Sequence, residues 1–265
     1  MRRLIAAALA ATALAGCSEA EAPVAEEPAY TASQYGAAVR DIARPAEDQA
    51  RDENRKPGEL LAFAEIDRGD VVGDYIMGGG YMTRLLAMAV GTEGKVYAFQ
   101  PEEFIAFRSE YADEQDAAVA PYADVNGDPV QVVPLRGPLA EPGFPEPLDT
   151  IFTVMNWHDL YLDAMPEGTP ETVTAMLYDS LKPGGSLIVV DHLAAEGAGA
   201  AAANTVHRMD ADLARSVLTG AGFVLEEESD MYSRPDDPRD TNVFDPSIRG
   251  MTDQFAWRLR KPTEE

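Results

Sequence analysis

The sequence predicts a doubly wound α/β fold, in which helices cover both faces of a mainly parallel β-sheet. From about residue 70 onward, short apolar segments alternate with segments whose apolar residues recur at helical spacing. Three consecutive glycines, Gly78 to Gly80, lie between the first apolar segment and the first helical one. The last two apolar segments are separated by a long polar stretch, and we expect them to form an antiparallel pair that closes the sheet.

Seven segments have the pattern expected of strands. The fifth of them, "SLIVVDH", is apolar enough to be buried on both faces of a parallel sheet. In chain order the segments are 70–76, 95–100, 130–135, 149–155, 186–192, 223–232 and 254–262.

Helical segments connect these strands. The first of them places Leu85, Leu86 and Ala89 on one face, and Gly91 marks its end. The predicted helices are 81–90, 102–115, 170–181 and a fourth with the apolar stripe Val206, Met209, Leu213 and Val217, near whose start lies His207.

The N-terminus has the pattern of an export signal, residues 1–16. Two arginines precede an apolar stretch that is too short to cross a bilayer, and small residues follow it. The stretch "LAGC" resembles the lipobox of bacterial lipoproteins, in which the cysteine, here Cys17, becomes the lipid-carrying N-terminus. Cys17 is the only cysteine, and the alternative is a free thiol beside an ordinary signal peptide. Ser18 resembles the outer-membrane sorting pattern, so we expect an exported, periplasmic protein that is held at the outer membrane by its lipid anchor alone.

Two further parts follow the leader. Residues 17–45 are rich in Ala, Glu and Pro without sustained apolar periodicity, which is the composition of a solvated tether. Residues 46–265 carry the α/β pattern and form the predicted domain.

The charge balance makes nucleic acid an unexpected partner. The 265 residues include 46 acidic and 21 basic ones, which gives a formal net charge of -25. Such a surface repels phosphate backbones and anionic membranes. We therefore expect no nucleic-acid partner, and the sequence does not determine the oligomeric state.

The glycine triplet predicts a ligand site. In doubly wound sheets the loop after the first strand lies at the carboxyl edge, where ligands bind, and glycine lets a ligand approach the main chain closely. The alternative is a tight turn with close packing of helix on strand. The spacing is not G-x-G-x-x-G and no Walker lysine follows, so the loop does not indicate a dinucleotide or a nucleoside triphosphate.

Imidazole and carboxylate side chains follow the predicted fourth and fifth strands. The chain has three histidines, and we expect all three to gather at one rim of the sheet. Such a group can take up a proton or bind a divalent metal; because the histidines are not closely spaced, we predict acid/base work and no metal. The alternative is that each histidine braces a loop by hydrogen bonding. The candidate catalytic residues are His158, Asp159, Asp191, His192 and His207.

Several motifs together resemble one family. "GDYIMGGGYMTRLLAMAVGTEGKVYAFQP", "NWHDLY", "LKPGGSLIVVDH", "HRMD" and "RGMTDQFAWRLRKP" are similar to the predicted class I S-adenosylmethionine-dependent methyltransferases of proteobacteria, in a group with exported members. The resemblance covers residues 38 to 262 and implies a Rossmann-like methyltransferase fold with seven strands, the last of them antiparallel. It also implies S-adenosylmethionine as the cofactor and a small-molecule methyl acceptor.

The resemblance further implies which residues meet the cofactor. Asp74 and the three glycines would approach its methionine moiety, and the end of the second strand would meet its ribose. Gln100 stands there instead of the usual acid, so an amide oxygen would accept the ribose hydroxyl hydrogen. The predicted cofactor-binding set is Asp74, Gly78, Gly79, Gly80, Tyr81, Gln100 and Asn156.

The predicted address and the predicted cofactor leave two alternatives open. S-adenosylmethionine is made inside the cell, whereas the leader directs the chain outside, and a fold does not guarantee an activity. The first alternative is a non-catalytic exported lipoprotein that keeps the pocket for another small ligand. The second is a lipid-anchored scaffold with no ligand.

Overall fold

A computed structural model describes residues 29–124, 126–127 and 130–263. The predicted leader, Cys17 and the first part of the tether lie outside the described residues. The seven strands are β1 (Val71–Tyr75), β2 (Lys95–Pro101), β3 (Val132–Gly137), β4 (Leu148–Val154), β5 (Leu181–His192), β6 (Val224–Ser229) and β7 (Gln254–Arg260).

The strands form one sheet of the predicted class. Its order is β3-β2-β1-β4-β5-β7-β6, and β7 runs antiparallel to both of its neighbours while the other pairs are parallel. The sheet therefore confirms the doubly wound α/β fold with seven strands, the last of them antiparallel.

Helices cover the two faces of the sheet. The α-helices of the described residues are α1 (Gly36–Val39), α2 (Ala46–Gln49), α3 (Asp52–Arg55), α4 (Pro57–Phe63), α5 (Tyr81–Val90), α6 (Glu102–Phe107), α7 (Glu110–Val119), α8 (Thr169–Ser180), α9 (Ala201–Val206) and α10 (Ala211–Gly220). Short 3₁₀ turns are Ala32–Tyr35, Ala120–Tyr122 and His158–Tyr161.

The core lies in two layers because successive strand residues point to opposite faces. On β5, Ile188 belongs to the layer under α4 and α5, whereas Val189 belongs to the layer under α8 and α10. Both side chains are fully buried. Strands buried on both faces explain why the sequence shows continuous apolar runs there instead of alternation.

The register places a crevice between β1 and β4. Chain connections lead from β1 outward to β2 and β3 on one side and return to β4 on the other, so the order reverses between β1 and β4. Asp74 of β1 is paired with Ala98 of β2 and with Phe152 of β4, which brings the carboxyl ends of these strands to the same edge. This is the position at which doubly wound sheets bind ligands.

The packed part of the chain begins earlier than the predicted domain boundary at residue 46. Tyr35 and Ala38 are buried in the core, and the Tyr35 hydroxyl donates a hydrogen bond of 2.8 Å to the Ile66 carbonyl oxygen. Residues 30–45 therefore belong to the folded unit and not to a solvated tether. The buried apolar residues of this stretch are too widely spaced to form a periodic pattern in the sequence.

The predicted helix 102–115 is two helices. Arg108, between α6 and α7, has an extended backbone with φ -142° and ψ 102°. The break lets its guanidinium lie 3.8 Å from the centre of the Tyr111 ring and pair with Glu114 at 2.7 Å. All three side chains line the cavity described below.

The predicted helix through Val206 and Val217 is also two helices. His207 adopts φ +59° and ends α9, so it does not open the following helix. Met209 donates its backbone N–H to the His192 carbonyl oxygen at 2.7 Å, and Leu193 and Met209 form a parallel bridge. Asp210 then begins α10 as its N-cap, since its side chain accepts the Leu213 N–H at 3.0 Å.

Candidate functional site

A cavity of about 780 Å³ lies at the crevice between β1 and β4. Its volume is in the range of small-molecule sites. The loop after β1, the ends of β2 and β4 and the N-terminal helices α2 and α3 surround it. Among the lining residues are Glu47, Asp48, Arg51, Arg55, Ile76, Gly78, Gly79, Tyr81, Gln100, Met155, Asn156, Asp159 and Arg249.

Two of the three glycines form bare wall. A Cβ at Gly78 would meet no atom within 4 Å, and a Cβ at Gly79 would meet only Glu114 Oε2, at 3.6 Å. Gly80 differs because its Cβ would lie 2.5 Å from Ala118 Cβ, inside the protein. The three glycines therefore have two different roles. Gly78 and Gly79 leave open space for a ligand, whereas Gly80 permits close packing.

The backbone is strained at the two strand ends that line the cavity. Ile76, after β1, has φ +60°, and Met155, after β4, has φ +61°. This conformation is rare for side chains of that size and for β-branched ones above all. Hydrogen bonds from Met77 N to Phe99 O, at 3.0 Å, and from Met155 N to Val190 O, at 2.7 Å, hold the two turns.

Asp74 lies behind the loop and not in the cavity wall. Its carboxylate is buried and accepts the Thr83 hydroxyl at 2.5 Å. Burial raises the pKa of Asp74 to about 6, against the opposing effect of the Thr83 hydrogen bonds. The structure thus places Asp74, like Gly80, where it supports the loop, and the wall that a ligand would meet is formed by its neighbours.

Gln100 lines the cavity, but its amide is oriented differently from expectation. Gly78 N–H donates to Gln100 Oε1 at 3.0 Å, so the side-chain oxygen is already engaged by the protein. The Nε2 group is buried and has no hydrogen-bond partner among the residues that the structure describes. Because a backbone N–H requires an acceptor, this orientation follows from the bonding itself. Gln100 therefore offers a donor to a ligand, where the sequence suggested an acceptor.

The amide of Asn156 braces the cavity from below. Its Nδ2 donates to the Tyr75 and Ile76 carbonyl oxygens, at 3.3 and 3.0 Å, and its Oδ1 accepts the Thr153 hydroxyl. These bonds tie the end of β4 to the end of β1. Asn156, which the resemblance placed in the cofactor-binding set, thus uses its amide to support the loop backbone.

Tyr81 joins the cavity wall to the N-terminal helices. Its hydroxyl donates to Asp52 Oδ1 at 2.7 Å, and the guanidinium of Arg55 lies 4.6 Å from the centre of its ring. Asp48 also connects the two parts, since it accepts from Arg84 of α5 at 2.5 Å. The helices α2 and α3, which line the cavity, are thus connected to the glycine loop through α5.

The sequence did not point to α2 and α3 as part of the site. Glu47, Asp48, Arg51 and Arg55 all line the cavity, although they precede the first strand. The only signal was a dense mixture of charges over 46–55 without apolar periodicity, which is equally typical of a solvated helix.

A second cavity of about 430 Å³ adjoins the first. The two share Arg51, Arg55, Met155 and Arg249 in their walls. His192 lies in the wall of the second cavity only, together with Val243, Phe244 and Gln254. The larger cavity therefore continues past Met155 toward the histidine cluster.

Four of the five predicted catalytic residues surround His158. His158 Nδ1 is 2.7 Å from Asp191 Oδ1, and its backbone N–H donates to Asp191 Oδ2 at 2.7 Å. The His207 ring centre lies 4.1 Å from that of His158, and the His192 ring centre 5.9 Å. The expected gathering at one rim of the sheet is therefore present.

Asp159 connects this group to the large cavity. Its Oδ1 lies 3.5 Å from His158 Nε2 and 3.7 Å from His207 Nε2. Asp159 is also the member of the group that lines the large cavity. His158 Nε2 is buried, and no described residue forms a hydrogen bond with it.

The ionisation of the group is strongly perturbed. Burial lowers the pKa of His192 to about 3 and that of His207 to about 4, so both rings are neutral at pH 7. Burial raises the pKa of Asp159 to about 6. Burial also opposes the charge on His158, but the Asp191 carboxylate outweighs it and raises the pKa of His158, while His158 lowers that of Asp191.

Comparison with solved structures identifies the fold. A SAM-dependent methyltransferase from Aquifex aeolicus superposes with a TM-score of 0.52 at 19% identity, covering 84% of this chain and 96% of its own. The [4+2]-cyclase SpnF matches with a TM-score of 0.55 at 17% identity, covering 80% and 82%. CrArsM, an arsenic(III) S-adenosylmethionine methyltransferase from Chlamydomonas reinhardtii, matches with a TM-score of 0.54 at 15% identity, covering 87% and 73%.

This chain has the class I methyltransferase fold. The strand order and the antiparallel β7 agree with the superpositions. No protein-family model and no curated protein matches the sequence. Identities of this size support the fold and leave the reaction to be argued from the site itself.

The cavity residues fit the cofactor that this fold implies. A nucleoside-sized ligand needs wall without side chains, which Gly78 and Gly79 provide. It also brings ribose oxygens that can accept hydrogen bonds, and the buried Gln100 Nε2 lacks such an acceptor within the described residues. With Gln100 in place of an acidic residue, the protein would donate this hydrogen bond to the ligand and not accept it. The space for the ligand is unchanged.

Among the described residues, no helix combines the length and the apolar character needed to cross a bilayer.

Proposed function

We propose that this protein binds S-adenosylmethionine in the large cavity and transfers its methyl group to a small-molecule acceptor. The observation that carries the proposal is the open main chain at Gly78 and Gly79, which faces a cavity of about 780 Å³ at the edge of a methyltransferase-type sheet. The buried donor of Gln100 supports it, because an oxygen of a bound ligand would give this donor an acceptor.

The protein's contribution to such a reaction is mainly position. The sulfonium of the cofactor makes its methyl group electrophilic, so the chain has to hold donor and acceptor in line and exclude water. The strained turns at Ile76 and Met155 fix the two strand ends against the ligand. The helices α2 and α3, anchored by the Asp48–Arg84 pair, cover the cavity from solvent.

The adjoining cavity is the place that we propose for the acceptor. It meets the large cavity at Met155, and Asp159 and His192 lie in the walls of the two cavities near this meeting point. Three guanidiniums, those of Arg51, Arg55 and Arg249, belong to both walls. A small acceptor with an anionic group would be attracted by them, whereas a nucleic acid would be repelled by the net charge of -25.

Calorimetric titration tests the first step. The full-length chain is titrated with S-adenosylmethionine and, separately, with its demethylated product, and we expect one molecule of either to bind per chain. The absence of binding heat with both ligands, together with an unchanged melting temperature, would overturn the proposal.

A matched pair of variants locates the ligand. Gly79→Leu fills open space beside the cavity at an ordinary backbone angle, so we expect ligand affinity to fall at least 10-fold, about 1.4 kcal/mol. Gly220→Leu is the control, because a Cβ there also meets open space but lies on α10 away from the cavity. Equal affinities in the two variants would place the ligand elsewhere.

The same titration separates the alternative functions. A non-catalytic binding protein would be stabilised by another metabolite in a thermal-shift screen and not by S-adenosylmethionine. The cyclase SpnF has this fold, so the fold alone does not establish methyl transfer. Transfer is established when radiolabelled methyl groups from the cofactor appear in a small molecule of an extract that is incubated with the chain.

We also propose that the chain is exported and anchored by lipid at Cys17. The export pattern of residues 1–16 and the position of the only cysteine at its end support this. Labelling of cells with a radioactive fatty acid should mark the wild-type chain and leave Cys17→Ala unlabelled. Label in both chains, or in neither, would contradict the anchor.

A further inference from the structure

Three metal-binding atoms converge beside the large cavity. They are His158 Nε2, Asp159 Oδ1 and His207 Nε2, and all lie within 4.8 Å of one another. Asp159 Oδ1 is 3.5 Å from His158 Nε2 and 3.7 Å from His207 Nε2. In a tetrahedral zinc site with bonds of 2.0 to 2.1 Å, neighbouring ligand atoms are about 3.3 Å apart, so small side-chain movements would complete the geometry.

His158 is held so that its free nitrogen faces the other two atoms. Its side chain is 0% exposed, and Nδ1 is bonded to the Asp191 carboxylate at 2.7 Å. An ionised carboxylate accepts a proton, so Nδ1 carries a hydrogen and Nε2 is the nitrogen left for a metal, which would replace any proton bound there. Among the described residues, Nε2 has no hydrogen-bond partner. A buried ring nitrogen without a partner is unfavourable, and a bound ion would remove this cost.

Asp191 has the position of an outer-shell group in a metal site. Histidines that bind metals donate their second ring nitrogen to a carboxylate or a carbonyl, which fixes the tautomer and the ring orientation. Asp191 does this for His158 and is itself held by the backbone N–H groups of His158 and His192, both at 2.7 Å. The orienting partner is thus rigid before any ion arrives.

We propose that His158, Asp159 and His207 bind a divalent transition-metal ion of the zinc type. Two imidazoles and one carboxylate suit Zn²⁺, Co²⁺ or Fe²⁺ better than Mg²⁺ or Ca²⁺, which prefer oxygen ligands. Three protein ligands leave a further position open, as in catalytic zinc sites. Because Asp159 lines the large cavity, this position is adjacent to bound small molecules.

The tertiary structure closes the distance that the sequence leaves between the two histidines. The bridge between Leu193 and Met209 brings the chain after α9 back to the end of β5. His207 reaches the cluster from its left-handed position at the end of α9. A search for closely spaced ligands on one element therefore misses this group.

The test is a titration of the metal-free, full-length chain with Co²⁺, followed by displacement with Zn²⁺. We expect one ion per chain and a visible absorption band typical of nitrogen and oxygen ligands in a site of low symmetry. No methyl donor is present, so this result and the binding of S-adenosylmethionine can fail independently. Weak binding of several ions without such a band would reflect only the acidic surface and would overturn the proposal.

Two histidine variants locate the ion. His207→Asn removes the imidazole, and asparagine tolerates the φ of +59° at this position, so the fold is retained. Loss of an outer-shell partner already lowers metal affinity about 10- to 100-fold, and we expect this loss of a direct ligand to lower it at least 100-fold. His192→Asn is the control, because His192 is not one of the three converging residues, and its affinity should stay within about 3-fold of wild type.

The outcomes are distinct. If His207→Asn keeps wild-type affinity while its urea unfolding is unchanged, the assignment is wrong. Equal losses in His207→Asn and His192→Asn would also refute this set of ligands, since the two variants differ in whether the removed imidazole faces Asp159.

Discussion

At the scale of single residues, the site depends on polar groups that are buried in unusual states. Within the part of the chain that the structure describes, Gln100 keeps an amide donor without a partner, and His158 keeps a ring nitrogen without one. Asp74 is a carboxyl group in surroundings that favour its neutral form. Each state costs stability, and the three residues lie in or around one site, which is typical of positions where function rather than stability determines the arrangement.

The buried Asp74 makes stability depend on pH. Its pKa rises from 3.8 in the unfolded chain to about 6 in the folded one, so the folded chain binds more protons between these values. The free energy of unfolding therefore falls as pH rises from about 4 to 6, by roughly 3 kcal/mol from this group. Other groups titrate in this range too, so the test is a difference: from pH 4 to pH 7, the change in the free energy of unfolding of Asp74→Asn should be about 3 kcal/mol more favourable than that of wild type, as measured by urea unfolding.

Asp245→Asn is the control for this measurement. The pKa of this exposed carboxyl lies below 3.8 because of its hydrogen bonds to Ser247, so its titration affects stability only at lower pH. If Asp74→Asn shows the same change between pH 4 and pH 7 as wild type and Asp245→Asn, then Asp74 is ionised in the folded chain at low pH and the argument is wrong.

At the scale of elements, the loop from β1 to α5 combines a ligand wall with a packed turn. Gly80 is the N-cap of α5 at φ +78°, and Gly168 is the N-cap of α8 at φ +82°. The two positions have nearly the same backbone conformation. They differ in surroundings, because a Cβ at Gly80 would lie 2.5 Å from Ala118 Cβ, whereas one at Gly168 would meet nothing within 4 Å.

This pair separates backbone strain from packing. Gly168→Ala should cost about 1 to 2 kcal/mol, the strain of a left-handed residue with a Cβ. Gly80→Ala should cost about 1 to 3 kcal/mol more, because the added methyl overpacks the contact with Ala118. The free energies of unfolding of both variants are measured in urea. Equal losses of stability would show that helix α7 moves to accommodate the added methyl group without an energetic cost.

At the scale of the whole molecule, the residues before β1 complete both the core and the cavity. Tyr35 and Ala38 belong to the same buried layer as Leu60 and Leu61. Further along, α2 and α3 cover the large cavity. Stability and ligand enclosure are therefore properties of residues 30–63 together with the sheet, and the sheet alone would leave apolar surface exposed.

A truncation tests this extent of the folded unit. A chain that begins at residue 46 loses the burial of Tyr35, which is worth about 1.5 to 3 kcal/mol, and exposes its apolar neighbours. We expect it to be at least about 3 kcal/mol less stable than a chain that begins at residue 29, measured by urea unfolding. Equal stabilities would restore residue 46 as the boundary.

The sequence predicts those parts of the site that depend on neighbouring residues in the chain, and it misses those that depend on contacts between distant residues. The strands were predictable because burial on both faces produces apolar runs that are local in sequence, as in β5. The bare wall at Gly78 and Gly79 was predictable because a run of glycines is also a local feature of the sequence. The role of Gly80 was not, because its neighbour Ala118 lies on a distant helix.

By itself, the sequence determined the doubly wound class, the antiparallel pair of the last two strands and the kinds of residue at the carboxyl edge. These features depend on local periodicity and composition. Only the tertiary structure decided which atoms of those residues remain free. Gly78 N–H takes the oxygen of Gln100, and Asp191 takes one nitrogen of His158. Hydrogen-bond partners that are far apart in the chain are set by packing, so the chemistry that is left for a ligand is fixed only in the folded molecule.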